Sequence, residues 1–366
     1  MSKDLHQKPF DETTIAKLEI FEDYAQAWLP TFIMWGEPEV CMFDFFAGTG
    51  YDKNGVPGSP IRLLRKIREQ IESIFQKKTK IRVFFNEFDK GKHEQLCIAC
   101  EKFLKEYPEV NRAIDLKIFN EDFDVCFFKL LPVIQAQSSL VYLDQNGIRF
   151  LSEKYLLALE QTTRTDFLYF VSSSYIRRFG DKDEFKSHVP LDMDEIKSNP
   201  YKFIHRILIA QLRQKLPVST NLKLYPFSLK KGANIHGIIF GASHPRAVDK
   251  FLGIAWKRSP INGDANFDVD DDLIKGQLDL FAGQLPTKIE AFQQRLREKV
   301  LSGSILDNFM AFDFALHEAH IGAHAADELK KMKKEGLIDY EGSSPLVTYD
   351  NVYKSPRQLR YKILRK

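Results

Sequence analysis

Two hydrophobic periods alternate along this chain, and the places where one gives way to the other outline an α/β fold. Ile15, Leu18, Phe21, Tyr24, Ala25 and Trp28 recur at helical spacing, which predicts an N-terminal helix over roughly 14–34 that Pro30 kinks or ends. A continuous apolar run then closes on small residues, Phe43-Asp44-Phe45-Phe46-Ala47-Gly48-Thr49-Gly50, as a buried strand entering a tight turn does. After the breaker-rich loop 51–58, Ser59 and Pro60 read as an N-cap and first helical position, with Ile61, Leu63, Leu64, Ile67 and Ile71 as the apolar stripe. Strands are then expected near 81–86, 115–119, 139–143 and 166–171, separated by helices near 92–106, 124–136 and 152–161. That alternation implies a parallel sheet. The polar stretch 175–200 reads as a lid or rim, a helix follows near 201–215, and the apolar runs 222–229 and 235–241 around the turn 230–234 read as an antiparallel hairpin at the sheet edge.

The C-terminal part follows a different order. The segment 259–284, with its acidic run Asp268-Val269-Asp270-Asp271-Asp272, reads as a linker or arm. Beyond Pro286 come helices near 287–301 and 304–316, a third through 323–335, and the runs 336–342 and 345–349 as two strands of a wing. Helices followed by a hairpin is the order of a winged helix-turn-helix. The expected organisation is a sheet domain over 1–260, a linker or arm over 261–285 and a winged-helix domain over 286–366.

Composition narrows the class. The chain has 366 residues, 44% of them hydrophobic and thirty of them Phe, enough for a substantial core. No segment approaches the roughly 20 apolar residues of a membrane span, and the start, Met1-Ser2-Lys3-Asp4, lacks the apolar core of a signal peptide; the expectation is a cytoplasmic protein with no membrane partner. Cys97 and Cys100 fall at i and i+3 of a helical run with no second such pair, so they read as packing thiols and no metal site is expected. His317, His320 and His324 mimic a metal cluster, but Ile321-Gly322 breaks the helix that would align them.

The net charge of +3 is too small to announce a nucleic-acid binder by itself. Its placement says more, because the last sixteen residues hold six Lys or Arg and no acid, and Lys330, Lys331, Lys333 and Lys334 precede them. On a recognition helix and wing, those four lysines with Arg357, Arg360, Lys362 and Arg365 would contact phosphates, and nucleic acid becomes the expected partner.

Candidate chemistry lies at the strand tips. Asp44, Ala47, Gly48 and Gly50 form a turn through which backbone approaches a ligand, and Glu87, with Asp89 as competitor, is placed to accept from ribose hydroxyls. At the third tip Asp122, or Glu121, could bind an adenine amino group, although each acid could equally cap the following helix. Tips of this kind in a doubly wound sheet point to a nucleoside cofactor at the switch point, and S-adenosylmethionine is the one inferred. Asp144, in Asp144-Gln145-Asn146-Gly147, would steady a target nitrogen by accepting its hydrogen bonds; the same four residues could also be a plain turn. Ser243-His244-Pro245-Arg246 reads either as a phosphate-binding corner or as a helix cap.

The run 46–60, the Asn-Glu-Phe-Asp that follows it, and Gly241-Ala242-Ser243-His244-Pro245-Arg246 through Lys257 resemble the three-Cys-motif partner proteins over most of the chain. The resemblance implies a Rossmann-like class I methyltransferase sheet, mostly parallel with a late antiparallel hairpin, and a separate partner protein bearing three cysteines. It puts Asp44, Gly48 and Gly50 on the first cofactor motif, Glu87 on the second and Asp144 on the fourth. Where that family often has Asp-Pro-aromatic-Gly, this chain reads Asp-Gln-Asn-Gly. The expectations are thus an S-adenosylmethionine-dependent methyltransferase acting on or with nucleic acid, or alternatively a scaffold of the same fold without turnover, serving nucleic-acid binding or defence.

Overall fold

A computed structural model describes residues 9–145, 152–186, 188–275 and 285–364. They fall into two compact units, Met1–His244 and Pro245–Lys366.

In the first unit the described elements run α1 (Glu12–Trp35), β1 (Glu39–Asp44), α2 (Ser59–Glu69), α3 (Ile71–Lys77), β2 (Lys80–Asn86), α4 (Lys90–Glu106), α5 (Pro108–Ala113) and β3 (Ile114–Phe119). There follow α6 (Phe123–Ala136), β4 (Ser138–Leu143), α7 (Glu153–Glu160), β5 (Thr165–Val171), α8 (Ser173–Phe179), α9 (Asp183–Lys186), α10 (Met193–Ser198), α11 (Ile204–Gln214), β6 (Lys223–Lys231) and β7 (Asn234–Ala242). The architecture is mixed α/β, with one seven-stranded sheet in the order β3-β2-β1-β4-β5-β7-β6. Strands β1 to β5 are mutually parallel, and β7 runs against both β5 and β6. Five parallel strands closed by a late hairpin is the Rossmann-like arrangement the alternating periods predict.

Burial explains why the strands sit where they do. Every residue of β4 is buried, as is β1 after Glu39, whereas β3 at one edge is only half-buried. A strand covered on both faces needs a continuous apolar run, and an edge strand tolerates Asp115 and Lys117. The order also puts a crossover reversal between β1 and β4, since the chain turns one way from β1 to β3 and the other way from β4 onward. In open α/β sheets the crevice beyond the carboxyl ends at such a reversal is where ligands bind.

Helix α1 is pinned to the middle of this sheet. The Tyr142 hydroxyl donates to Phe21 O at 2.6 Å, the two rings stack at 4.7 Å, and the Tyr24 hydroxyl donates to Asp166 at 2.7 Å. Pro30 lies inside the helix and does not end it; Gly36 does, at φ 78°, with its amide and that of Glu37 closing back on Ile33 and Phe32. A second sequence expectation needs correction at α2, where Gly58 is the N-cap and Ser59 is already helical. Ser59 is buried instead, with its hydroxyl beside Asp44. The described residues of the stretch 175–200 form short helices and no strand.

The second unit contains α12 (Pro245–Arg258), α13 (Asp272–Lys275), α14 (Lys288–Leu301), α15 (Asn308–His317), α16 (Gly322–Lys334), β8 (Ile338–Asp339) and β9 (Lys362–Ile363). Helix α12, read from sequence with the sheet domain, groups here by its contacts. Thr287 and Glu290 form a reciprocal capping box at the start of α14. The expected wing hairpin is not found: β8 pairs antiparallel with β9, Ile338 opposite Ile363, and 345–349 is not a strand. Gly322 lets α16 approach that segment, since a Cβ there would meet Val347 O at 2.3 Å.

Candidate functional site

Asp44, Gly48 and Glu87 come together at the carboxyl edge of the sheet. The β1–β2 register puts Asp44 opposite Phe85, so both strands end at the same height and the loops beyond them meet. Gly48 adopts φ 66° and Gly50 φ 84°, left-handed values that a turn this tight requires. The Gly48 amide donates to Glu87 Oε2 at 2.9 Å, and Ala47 donates to Asn86 O at 3.0 Å. Gly50 has a second constraint, because a Cβ there would lie 2.8 Å from the Cβ of Ala99 on α4.

The competing acids separate by geometry. Glu87 turns one oxygen to Gly48 and the other to the Asp89 amide, whereas Asp89 is the exposed N-cap of α4. At the third tip Asp122 caps α6, accepting from the Asp124 amide at 3.0 Å, and Glu121 pairs with Lys129 at 2.6 Å. What joins the tips is Asn86, a residue not singled out in the sequence. Buried at the end of β2, it donates to Phe45 O and Glu121 O and accepts from the Glu121 amide. A polar residue closing an apolar strand was the available signal.

Asp44 is the most perturbed group of the set. Its Oδ1 accepts from the Phe46 amide at 3.1 Å, while its buried Oδ2 has no hydrogen-bond partner among the described residues. Burial pushes its carboxyl up to about 7, against the pull of the Ser59 hydroxyl, the Phe46 amide and Lys17, and with a further push from Asp144. Asp44 and Asp144 therefore lie within electrostatic reach across the β1–β4 reversal.

Asp144 itself is engaged. The Lys17 ammonium sits 2.5 Å from its Oδ2, with both side chains largely enclosed, and 4.4 Å from the centre of the Phe170 ring. Lys17 was missed from sequence. It lies on the buried stripe of α1, four residues before Phe21 and seven before Tyr24, and a lysine in an otherwise apolar stripe marks a buried partner. The rest of the fourth motif, Asn146 and Gly147, lies outside the described residues, as do Arg365 and residues 276–284 of the linker expected over 261–285.

Other sequence candidates resolve into packing. Cys100 is buried on α4 and Cys97 lies beside His93, and no group of metal-ligating side chains occurs among the described residues. His320 stacks on Phe292 at 4.1 Å, and burial holds it down at about 2. Ser173 and His205 form a hydrogen-bonded pair, but it is fully enclosed and the other imidazole nitrogen meets Ile238 O. Among the basic residues, Lys330, Lys331, Lys334, Arg357 and Arg360 are exposed. Lys333 differs, donating to Tyr340 O and Gly342 O and pairing with Asp339 at 3.1 Å.

The site residues fit a nucleoside cofactor on this structure's own features: a turn without side chains at Gly48 and Gly50, a half-buried carboxylate at Glu87, and an unsatisfied buried oxygen on Asp44. The sequence matches no protein-family model and no curated protein. Among solved structures it is similar to the O-methyltransferase TomG from Streptomyces achromogenes, in complex with SAM, at 10% identity and TM-score 0.32 over 65% of this chain and 92% of that one. It is also similar to the O-methyltransferase from Bacillus cereus, in complex with SAH, at 11% identity and TM-score 0.32 over 64% and 91%. At those scores neither chemistry nor substrate follows from the likeness.

Proposed function

We propose that the first unit is an S-adenosylmethionine-dependent methyltransferase, with the cofactor held at the tips of β1 and β2. The observation that carries this reading is the Gly48–Glu87 contact. It brings a glycine turn and an acid from the next strand against one another beside the β1–β4 reversal. Glu87 would accept from the ribose hydroxyls, Gly48 and Gly50 would leave room for the backbone to approach, and Asp122 or Glu121 would face the base. The cofactor supplies an activated methyl group on a sulfonium; the chain has only to place the acceptor in line and exclude water. Asp144, across the reversal, is the group to hold that acceptor.

Lys330, Lys331, Lys334, Arg357 and Arg360 are proposed to contact nucleic-acid phosphates from a winged-helix-like unit, and a three-cysteine protein is the proposed partner. A second reading, a scaffold of this fold without turnover, is favoured by the Asp144–Lys17 ion pair, which occupies the carboxylate that an acceptor would need. Isothermal titration of the purified protein with S-adenosylmethionine tests the shared premise. Saturable binding, weakened at least tenfold by Glu87→Ala, is expected; no saturable binding removes both readings. Methyl incorporation into nucleic acid or the partner then separates the enzyme from the scaffold.

A further inference from the structure

We propose that the Asp144 carboxylate and the face of the Phe170 ring form a binding subsite for a primary ammonium group, and that Lys17 is its resident occupant. The Lys17 nitrogen is 2.5 Å from Asp144 Oδ2 and 4.4 Å from the ring centre of Phe170. A carboxylate and an aromatic face are the two contacts that stabilise a cation once it has left water.

The surroundings make this a built subsite and not a surface ion pair. The Lys17 side chain is only 10% exposed and that of Asp144 17%. The imidazole of His236 stacks on Phe170 at 5.6 Å with an interplanar angle of 11°. Burial, with Lys231 and Lys17 nearby, holds that imidazole down at about 4, so it is uncharged at neutral pH and does not repel a cation. The bonds from Tyr142 to Phe21 and from Tyr24 to Asp166 fix α1 one to two turns beyond Lys17. The helix can therefore stay in place while the flexible lysine stem swings away, leaving an opening shaped for another alkyl ammonium.

Asp144 lies across the β1–β4 reversal from the Gly48 turn, so an amine replacing Lys17 would stand where an acceptor is needed, and would accept a methyl group only after passing one N–H proton to Asp144 or solvent. That meaning rests on the methyl-transfer reading above; the subsite does not. The ligand class is a primary alkyl amine in its protonated form, from a small molecule or a lysine side chain.

The test empties the subsite and refills it. In the absence of cofactor, n-butylammonium chloride is titrated into Lys17→Ala protein, followed by thermal denaturation. Its melting temperature is expected to rise by about 3 °C more than with equal sodium chloride, saturating in the millimolar range. Wild type and Lys17→Met, whose subsite stays filled, should not respond, and Lys17→Ala/Asp144→Asn should bind at least tenfold more weakly. An equal response to the two salts, or a full response in Lys17→Met, overturns the proposal. Should Lys17→Ala fail to fold, recovery of its circular dichroism by n-butylammonium is the supporting result and no recovery the overturning one. A lysine-containing tripeptide amide run in parallel distinguishes the sources: tighter binding than n-butylammonium points to a protein side chain, equal binding to a small amine. Cofactor calorimetry on wild type fails or succeeds independently, so loss of one idea does not obscure the other.

Discussion

At the tips of the sheet, residues 39 positions apart (Gly48 and Glu87) and 100 apart (Asp44 and Asp144) are brought within reach of one another, whereas on α16 lysines adjacent in sequence are put to different uses. Glu87 reaches Gly48, and Asp44 feels Asp144 across the reversal, because parallel register sets where every strand stops. Lys333 holds the carbonyls of Tyr340 and Gly342 while Lys334, its neighbour, stays exposed. Ladder register is cooperative, and a residue at a strand end inherits its position from the whole sheet. A surface lysine takes whatever partner its own rotamers find, which one residue of helical rotation changes.

The comparison can be broken most severely at the turn. Gly50→Val places a branched side chain at φ 84° against Ala99, and the combined strain and overpacking should cost roughly 3–4 kcal/mol. Urea denaturation reads this directly, and a loss below about 1 kcal/mol would mean the turn relaxes freely.

Next comes the Lys17–Asp144 pair. Removing the cation in Lys17→Ala strands a largely enclosed carboxylate and should cost roughly 3 kcal/mol. Lys17→Met/Asp144→Leu should recover most of that loss, and failure to recover it in a double-mutant cycle would show that the two residues act separately.

Asp44 gives a pH signature of comparable size. An aspartate in the unfolded chain titrates near about 4, so from there up to about 7 the folded protein keeps a proton that the unfolded chain has released. Stability contributed by this group is complete below the lower value and falls as pH rises through the upper one. Asp44→Asn should therefore leave stability near pH 4 almost unchanged and raise it by about 4 kcal/mol at pH 8. A variant curve parallel to wild type would mean that Asp44 is not protonated in the folded state.

On the second unit the effects are smallest. Lys333→Ala should cost about 1 kcal/mol by freeing the turn after β8. Lys334→Ala should leave stability unchanged but, if the second unit binds nucleic acid as proposed, lower the salt dependence of that binding by about one unit of slope. If both variants behave alike, the division of labour along α16 is wrong.

Much of the first unit was legible because its signals are long and local. The alternating periods gave the parallel strands and the late hairpin, since strands covered on both faces need unbroken apolar runs such as Leu140-Val141-Tyr142-Leu143. The small residues after β1 likewise announced left-handed backbone that only glycine adopts freely. In the second unit the signals were weaker. The run 345–349 carries strand-like residues, yet β8 takes β9 as its partner, because two-residue pairings are decided by what packs beneath them and not by propensity.

What the sequence determined by itself was the inventory: which strands are buried, where each ends, and which acids stand at those ends. What only the tertiary structure decided was which acid faces inward. Glu87 and not Asp89 meets Gly48, Asn86 joins three tips, and Lys17, on a helix more than a hundred residues before β4, claims Asp144. The physical reason is that strand and helix periods follow from each segment's own side chains, whereas a buried charge is compatible with the fold only where a distant segment supplies its counter-ion.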